Sequence, residues 1–300
     1  MNRGHVKAAI WDGRLFYYIC SVSALIVLFA MVFATSAWAQ QTSESHTGTI
    51  EATFDDGYAA YQRGAFYEAR LIWEPLAAGG DTRALYNLGT IYAEGRGTNR
   101  NMMTAQGFWE QAAEAGHVRA MHNLALSYIA HAGVLEEQDA NAEYDTAIHW
   151  LDTASQVGFA NSQYTLGKMY QYGLSVEQND ALAAEFYILA ADQGFANAQY
   201  NLGKAYRDGR GVTRDIERSI HYFRLAAEQG HARAQNRVAT RYARGEGVEQ
   251  NDVIALMWAS LAADQGDGKG IENRYLLLGR MSEEQIAEAQ ALIDAHNASY

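Results

Sequence analysis

Six glycines recur along this chain, at Gly80, Gly116, Gly158, Gly194, Gly230 and Gly266, spaced 36, 42, 36, 36 and 36 residues apart. A tyrosine series runs in step at Tyr92, Tyr128, Tyr170, Tyr206 and Tyr242. Three residues before each tyrosine stands a small residue: Gly89, Ala125, Gly167, Gly203 or Ala239. Registers held together in this way mark a stacked repeat, in which each unit buries its apolar face against its neighbours. Composition agrees. With 49% hydrophobic and 19% charged residues the chain is not disordered, and a single proline argues against a sandwich or barrel with many proline-marked turns.

The spacing predicts two helices per unit. The first, for example 198–207, carries its small residue and its tyrosine one turn apart on one face. The small residue lets another helix approach, and the tyrosine fills the adjacent space. Gly-x-Gly then breaks the chain at Gly95/Gly97, Gly209/Gly211 and Gly245/Gly247, because glycine tolerates positive φ. Asn101, Asn179, Asp215 and Asn251 follow at one register, where a side-chain oxygen can cap the second helix. That helix carries aromatics (Phe108-Trp109, Phe186-Tyr187, Tyr222-Phe223, Trp258) and ends at the periodic glycine, a suitable C′ residue.

The pattern A-x-x-x-L-G-x-x-Y-x-x-G-x-G-V, followed by Asn or Asp, Ala, an aromatic, Ala-Ala and Gly, resembles the Sel-like repeat (SLR), a longer-looped relative of the tetratricopeptide repeat. Five units match: residues 84–119, 120–161, 162–197, 198–233 and 234–269. The unit 198–233 is nearly complete, with Leu202, Gly203, Tyr206, Gly209, Gly211, Val212, Asp215, Ala226, Ala227 and Gly230. The unit 120–161 departs, with His131-Ala132-Gly133 at the double-glycine position and six extra residues near 136–145, read as a longer loop that arose by drift. Residues 54–83, with Gly57, Gly64, Ala69 and Trp73, look like a shorter tetratricopeptide-like first repeat. The Sel-like repeats then occupy 84–270. Residues 271–300 are read as capping helices, the last opened by the capping box Ser282–Gln285, since an open stack would expose an apolar face. The resemblance implies an all-α fold, a right-handed α-solenoid superhelix of about six helix-turn-helix repeats, and an adaptor or scaffold role.

The N-terminus carries a different signal. Arg3, Lys7 and Arg14 precede an apolar run from Leu15 to Ala34, which closes with Ala37-Trp38-Ala39. A charged start, apolar middle and A-x-A end read as a secretory signal peptide over 1–39, and residues 40–53 as a flexible leader. The expected location is periplasmic or secreted after cleavage near Ala39; uncleaved, the segment is long enough to anchor the chain in a membrane. Removing 1–39 leaves 20 basic residues, 34 acidic ones and no cysteine.

Motifs for chemistry are few. The Gly-x-Gly pairs lie between helices, without the strand that a nucleotide fingerprint requires. His117 and His231 stand just after periodic glycines, and His122 follows His117 at a spacing that does not share a helical face. With no H-E-x-x-H and no cysteine cluster, neither metal nor cofactor is expected. Some cysteine-rich relatives in this repeat family are described as β-lactamase-like. This chain lacks their paired cysteines and any S-x-x-K with S-D-N or K-T-G, so it is read as non-catalytic. A net charge of −12 argues against nucleic acid. Trp109, Trp150 and Trp258, at near-equivalent positions, read as interhelical core rather than a sugar platform.

One stretch reverses the overall charge. Between Tyr200 and Arg244 lie ten basic and four acidic residues, against ten basic and thirty acidic in the rest of the chain after 39. By register, Tyr164, Lys168 and Gln171; Tyr200, Lys204 and Arg207; and Arg233, Asn236, Thr240 and Arg244 would line the inner surface of a tetratricopeptide-like stack. A groove of one sign focuses its field on a ligand of the other. The expected partner is a protein or peptide, with an acidic segment. The alternatives are a binder of an envelope polymer (peptidoglycan or exopolysaccharide) or a β-lactamase-like enzyme, and a periplasmic regulator of a membrane sensor.

Overall fold

A computed structural model of the chain describes residues 52–298. The expected signal peptide and residues 40–51 of the expected leader lie outside the described residues. Thr53, at the leader's edge, already caps the first helix, its side chain accepting from the Asp56 backbone N–H while the Asp56 carboxylate accepts from that of Thr53.

Among the described residues there are fourteen α-helices and no strand. Six consecutive pairs form the stack: α1 (Phe54–Gln62) with α2 (Phe66–Ala78), α3 (Thr82–Glu94) with α4 (Met102–Glu114), α5 (Val118–Ala132) with α6 (Glu137–Gln156), α7 (Ala160–Tyr172) with α8 (Asp180–Asp192), α9 (Ala196–Asp208) with α10 (Ile216–Glu228), and α11 (Ala232–Arg244) with α12 (Asp252–Asp264). Two more helices follow, α13 (Gly268–Leu278) and α14 (Glu283–Ala298). Each helix packs on the one before and the one after it through α13, as a solenoid requires.

The sequence signals act where expected. Asn101, Asn179, Asp215 and Asn251 each accept the backbone N–H three residues on, at 2.9–3.1 Å. The periodic glycines all adopt positive φ, between 81° and 88°. His117 and His231 also cap helices, their Nδ1 atoms accepting from the Ala120 and Ala234 N–H groups at 3.2 and 3.1 Å.

The small residue on each first helix has a more specific task than letting another helix approach. It receives a ring. A Cβ added at Gly89, Gly167 or Gly203 would lie within 2.4–2.7 Å of Trp109, Tyr187 or Phe223, the residue twenty positions on in the paired helix. At Ala125 and Ala239 the corresponding residues are smaller, Leu151 and Ala259. The tyrosines stack on the neighbouring register: Tyr92 on Phe108 (5.6 Å), Tyr170 on Phe186 and Tyr206 on Tyr222 (both 5.7 Å). Trp109 therefore belongs to the glycine-facing register, whereas Trp150 and Trp258 share the other. All three are buried or half-buried.

The extra residues of the 120–161 unit do not form a longer loop. They are helical: α6 has 20 residues where the other second helices of the family-like units have 13, and the connection before it is only 133–136. Gly133 stays right-handed at φ −64°, so the chain lacks the left-handed turn that starts the longer connections elsewhere. Continuing the helix satisfies the backbone instead.

A glutamine ladder escaped the sequence reading. Gln163, Gln199 and Gln235, each under 5% exposed, donate to the carbonyls of Ser155, Ala191 and Ala227 and accept from Gln193, Gln229 and Gln265 at 2.7–2.8 Å. The ladder ties successive second helices together through the first helix between them. At the far end, α14 lies against α12 rather than α13. Tyr275 of α13, on the small-residue register, is left 79% exposed.

Candidate functional site

Because the first helices repeat in register, residues at equivalent positions form rows across their shared face. One row is Asn87, Asn123, Thr165, Asn201 and Arg237; the next is Thr90, Leu126, Lys168, Lys204 and Thr240. Their chemistry changes along the stack. Over α3 and α5 the rows are neutral, and from α7 to α11 they become cationic.

The residues expected to line this face divide into two groups. Lys168 and Lys204 do sit at equivalent places, each ammonium 5.9 or 5.7 Å from the ring of the tyrosine one turn earlier, Tyr164 or Tyr200. Those tyrosines are themselves held, Tyr164 against Phe195 (5.1 Å) and Tyr200 stacked on His231 (4.6 Å). Arg233 is exposed and forms no ion pair among the described residues. The other residues, apart from the largely exposed Arg244, are committed within the fold. Gln171 accepts from the Tyr187 hydroxyl at 2.7 Å. Arg207 makes two bonds to Asp208, at 2.7 and 2.8 Å. Asn236, 4% exposed, and Thr240 both accept from the Asn273 amide. Arg244 lies 3.5 Å from Glu246.

Two further cations belong to the face. Arg237 extends the row of Asn201, and Arg241 lies beside it, paired with Glu246. For Arg237 the 36-residue register with Asn201 was the available signal; for Arg241, whose equivalents are Ser127, Met169 and Ala205, the register held none. Burial, followed by Arg207, holds Lys204 below the usual lysine range, Asp208 only partly compensating. Burial and four arginines (207, 237, 244 and 214) lower Arg241 likewise. Lys204, Arg210, Arg214, Arg233 and Arg237 form no ion pair with a carboxylate among the described residues, Asp208 acting on Lys204 and Arg210 only at longer range.

Clefts open between successive first helices. One of about 360 Å³ lies between α5 and α7, with Leu126, Tyr144, Tyr164, Lys168, Leu174 and Phe195 among its walls. Its counterpart between α7 and α9 has closed to about 20 Å³ around Tyr187, Lys204, Asp208 and Arg210. No cluster of three or more His, Cys, Asp or Glu residues that could hold a metal occurs among the described residues. The arrangement offers cations and apolar recesses for a ligand.

Comparison with known proteins matches five Sel1 repeats, at residues 82–117, 118–159, 160–195, 196–231 and 232–267. A Sel1 repeat protein from Oxalobacter formigenes is similar in structure, with a TM-score of 0.68 and 25% identity over 83% of this chain and 100% of that one. A protective antigen of uropathogenic Escherichia coli displaying an SLR fold is also similar, with a TM-score of 0.49 and 25% identity over 81% of this chain and 61% of that one. No curated protein matches the chain.

Proposed function

The chain belongs to the Sel1 repeat family, whose members typically mediate protein–protein interaction, and we propose that it is a non-catalytic scaffold that holds an acidic segment of a partner protein along its first helices. The observation that carries this reading is the group of cations that form no ion pair with a carboxylate among the described residues, on and beside α9 and α11 (Lys204, Arg210, Arg214, Arg233 and Arg237), in a chain that is otherwise acidic. Cations clustered this closely repel one another, and a carboxylate-bearing ligand relieves that repulsion. The acidic remainder of the chain discourages anionic ligands elsewhere.

The reading places the protein outside the cytoplasm. Its support is the basic start, apolar run and Ala37-Trp38-Ala39 of the N-terminus. N-terminal sequencing of protein from the cell envelope is expected to begin at Gln40.

Crosslinking in intact cells followed by mass spectrometry identifies the partner. The double variant Lys204→Glu, Arg237→Glu is expected to lose it, and moderate salt is expected to weaken the wild-type complex by screening. Unchanged recovery by a folded double variant would rule out this face.

A further inference from the structure

The cationic rows end at α7, and a recess of about 360 Å³ between first helices begins there. Leu126 stands in the row that carries Lys168 and Lys204 in the next two units, and it is 41% exposed. Tyr144 stands where α8 and α12 begin with Asp180 and Asp252, but here the helix starts two turns earlier and the position is aromatic. Leu174, also 41% exposed, and Phe195 complete the apolar walls. The equivalent space one unit on has closed to about 20 Å³, and the one a unit earlier, between α3 and α5, is a smaller cleft of about 280 Å³ with Met102 at the Tyr144 position and Leu126 at the Lys168 position, so the irregular unit's cleft alone combines an aromatic there with a lysine rim.

We infer that the cleft between α5 and α7 takes one bulky apolar side chain of the same partner segment whose carboxylates lie on α9 and α11. This rests on the reading above and adds the anchor that gives it specificity. Charge continuity selects the occupant. Lys168 forms the cleft's rim, and Lys204 and Arg237 continue outward from it, so a chain seated in the cleft runs directly onto cations. Apart from Lys168 at the rim the walls carry no charge, which favours the apolar group. His122, which lines the cleft, is kept neutral at pH 7 by burial, its pKa lowered to about 4.

The geometry also sets a spacing. Directly packed helices lie roughly 8–10 Å apart and an extended chain advances about 3.3 Å per residue, so the step from one first helix to the next corresponds to about three residues or more. Carboxylates facing α9 and α11, one and a half and two and a half units from the cleft, are then expected about five and eight residues from the anchor.

The test uses the protein lacking its signal segment and fluorescein-labelled Gly/Ser peptides carrying one Trp with Glu at those two spacings, made in both chain directions, with binding read by anisotropy. Replacing the peptide's Trp by Ala is expected to weaken binding about tenfold or more, the scale of one buried large side chain. In the variant Leu126→Gln, Leu174→Gln, which changes only partly exposed positions, that replacement is expected to matter by less than about threefold. Replacing Glu by Gln should weaken both proteins equally. A Trp→Ala peptide that binds wild type as well as its parent, with the Glu dependence intact, overturns the anchor but leaves the acidic-segment reading standing. Trp dependence without Glu dependence, or no binding by any peptide to protein with an intact helical spectrum, overturns both.

Discussion

At the scale of single residues, Gly203 carries no side chain because the Phe223 ring occupies the place of one. A mid-helix glycine costs about 1 kcal/mol relative to alanine, and here that cost is offset by the ring's burial. Gly203→Ala is expected to destabilise by about 1–3 kcal/mol, as overpacking does, despite alanine's better helix propensity. A double-mutant cycle with Phe223→Leu, measured by urea unfolding, should show a favourable coupling, because Ala125 and Leu151 already form such a pair in another unit. Ser219 supplies the opposite case. It is fully buried, its hydroxyl has no hydrogen-bond partner, and the equivalent positions 105, 183 and 255 are alanine. Ser219→Ala is expected to raise stability by about 1 kcal/mol, seen as a higher Tm, by removing an unpaired buried polar group.

Between elements, the glutamine ladder is the clearest case of a polar group holding helices in register. Gln235 bridges the end of α10 and Gln265 beyond α12. Gln235→Leu is expected to cost about 1–3 kcal/mol by leaving its partners unpaired. Adding Gln265→Ala copies the apolar pair Leu85 and Ala115 of the first family-like unit and should recover part of that loss in denaturant melts. The N-terminal units thus join by apolar contact and the C-terminal units by amides. The same distinction explains why α6 could lengthen without breaking the stack: its added turns lie before the packed segment, and the core residues Ala147, Leu151 and Ala154 keep their register.

For the molecule as a whole, stability is a sum of unit and neighbour terms, and three histidines make that sum depend on pH. Burial lowers His122 to about 4 and also lowers His117 and His231, which accept capping hydrogen bonds through Nδ1 and so must be neutral. Their unfolded forms titrate near the ordinary value of about 6.5. The unfolded chain therefore binds more protons between about pH 6.5 and 4, and stability present above that window is lost as pH falls through it. For His122 alone the loss approaches roughly 3 kcal/mol. Urea midpoints are expected to fall from pH 7.5 to pH 4.5, and less so in His122→Leu, if that variant keeps its fold. Asp81 and Asp208, lowered chiefly by their bonds to Arg83 and Arg207, act in the same direction at lower pH still.

The period, the paired helices, the caps at Asn101, Asn179, Asp215 and Asn251 and the turn glycines were all legible in the chain. Each depends on a few residues close in sequence, and repetition displayed every one several times over. Lys168 and Lys204 were legible for the same reason, as a shared register. What the register could not tell was which polar groups remain available. Thr240 shares a row with the exposed Leu126 and Lys168, and Asn236 one with the half-buried Tyr164 and Tyr200, yet Asn273, more than thirty positions away, takes up their acceptors. Nor could it show that an irregular stretch becomes helix from 137 on and helps to wall a cleft, since a recess is defined by what three helices and a following turn leave unfilled. Local spacing thus determined the architecture, because helix geometry is periodic and short-ranged. Only the tertiary structure decided which side chains are free to meet a partner, because pairing and burial depend on neighbours brought together from distant turns.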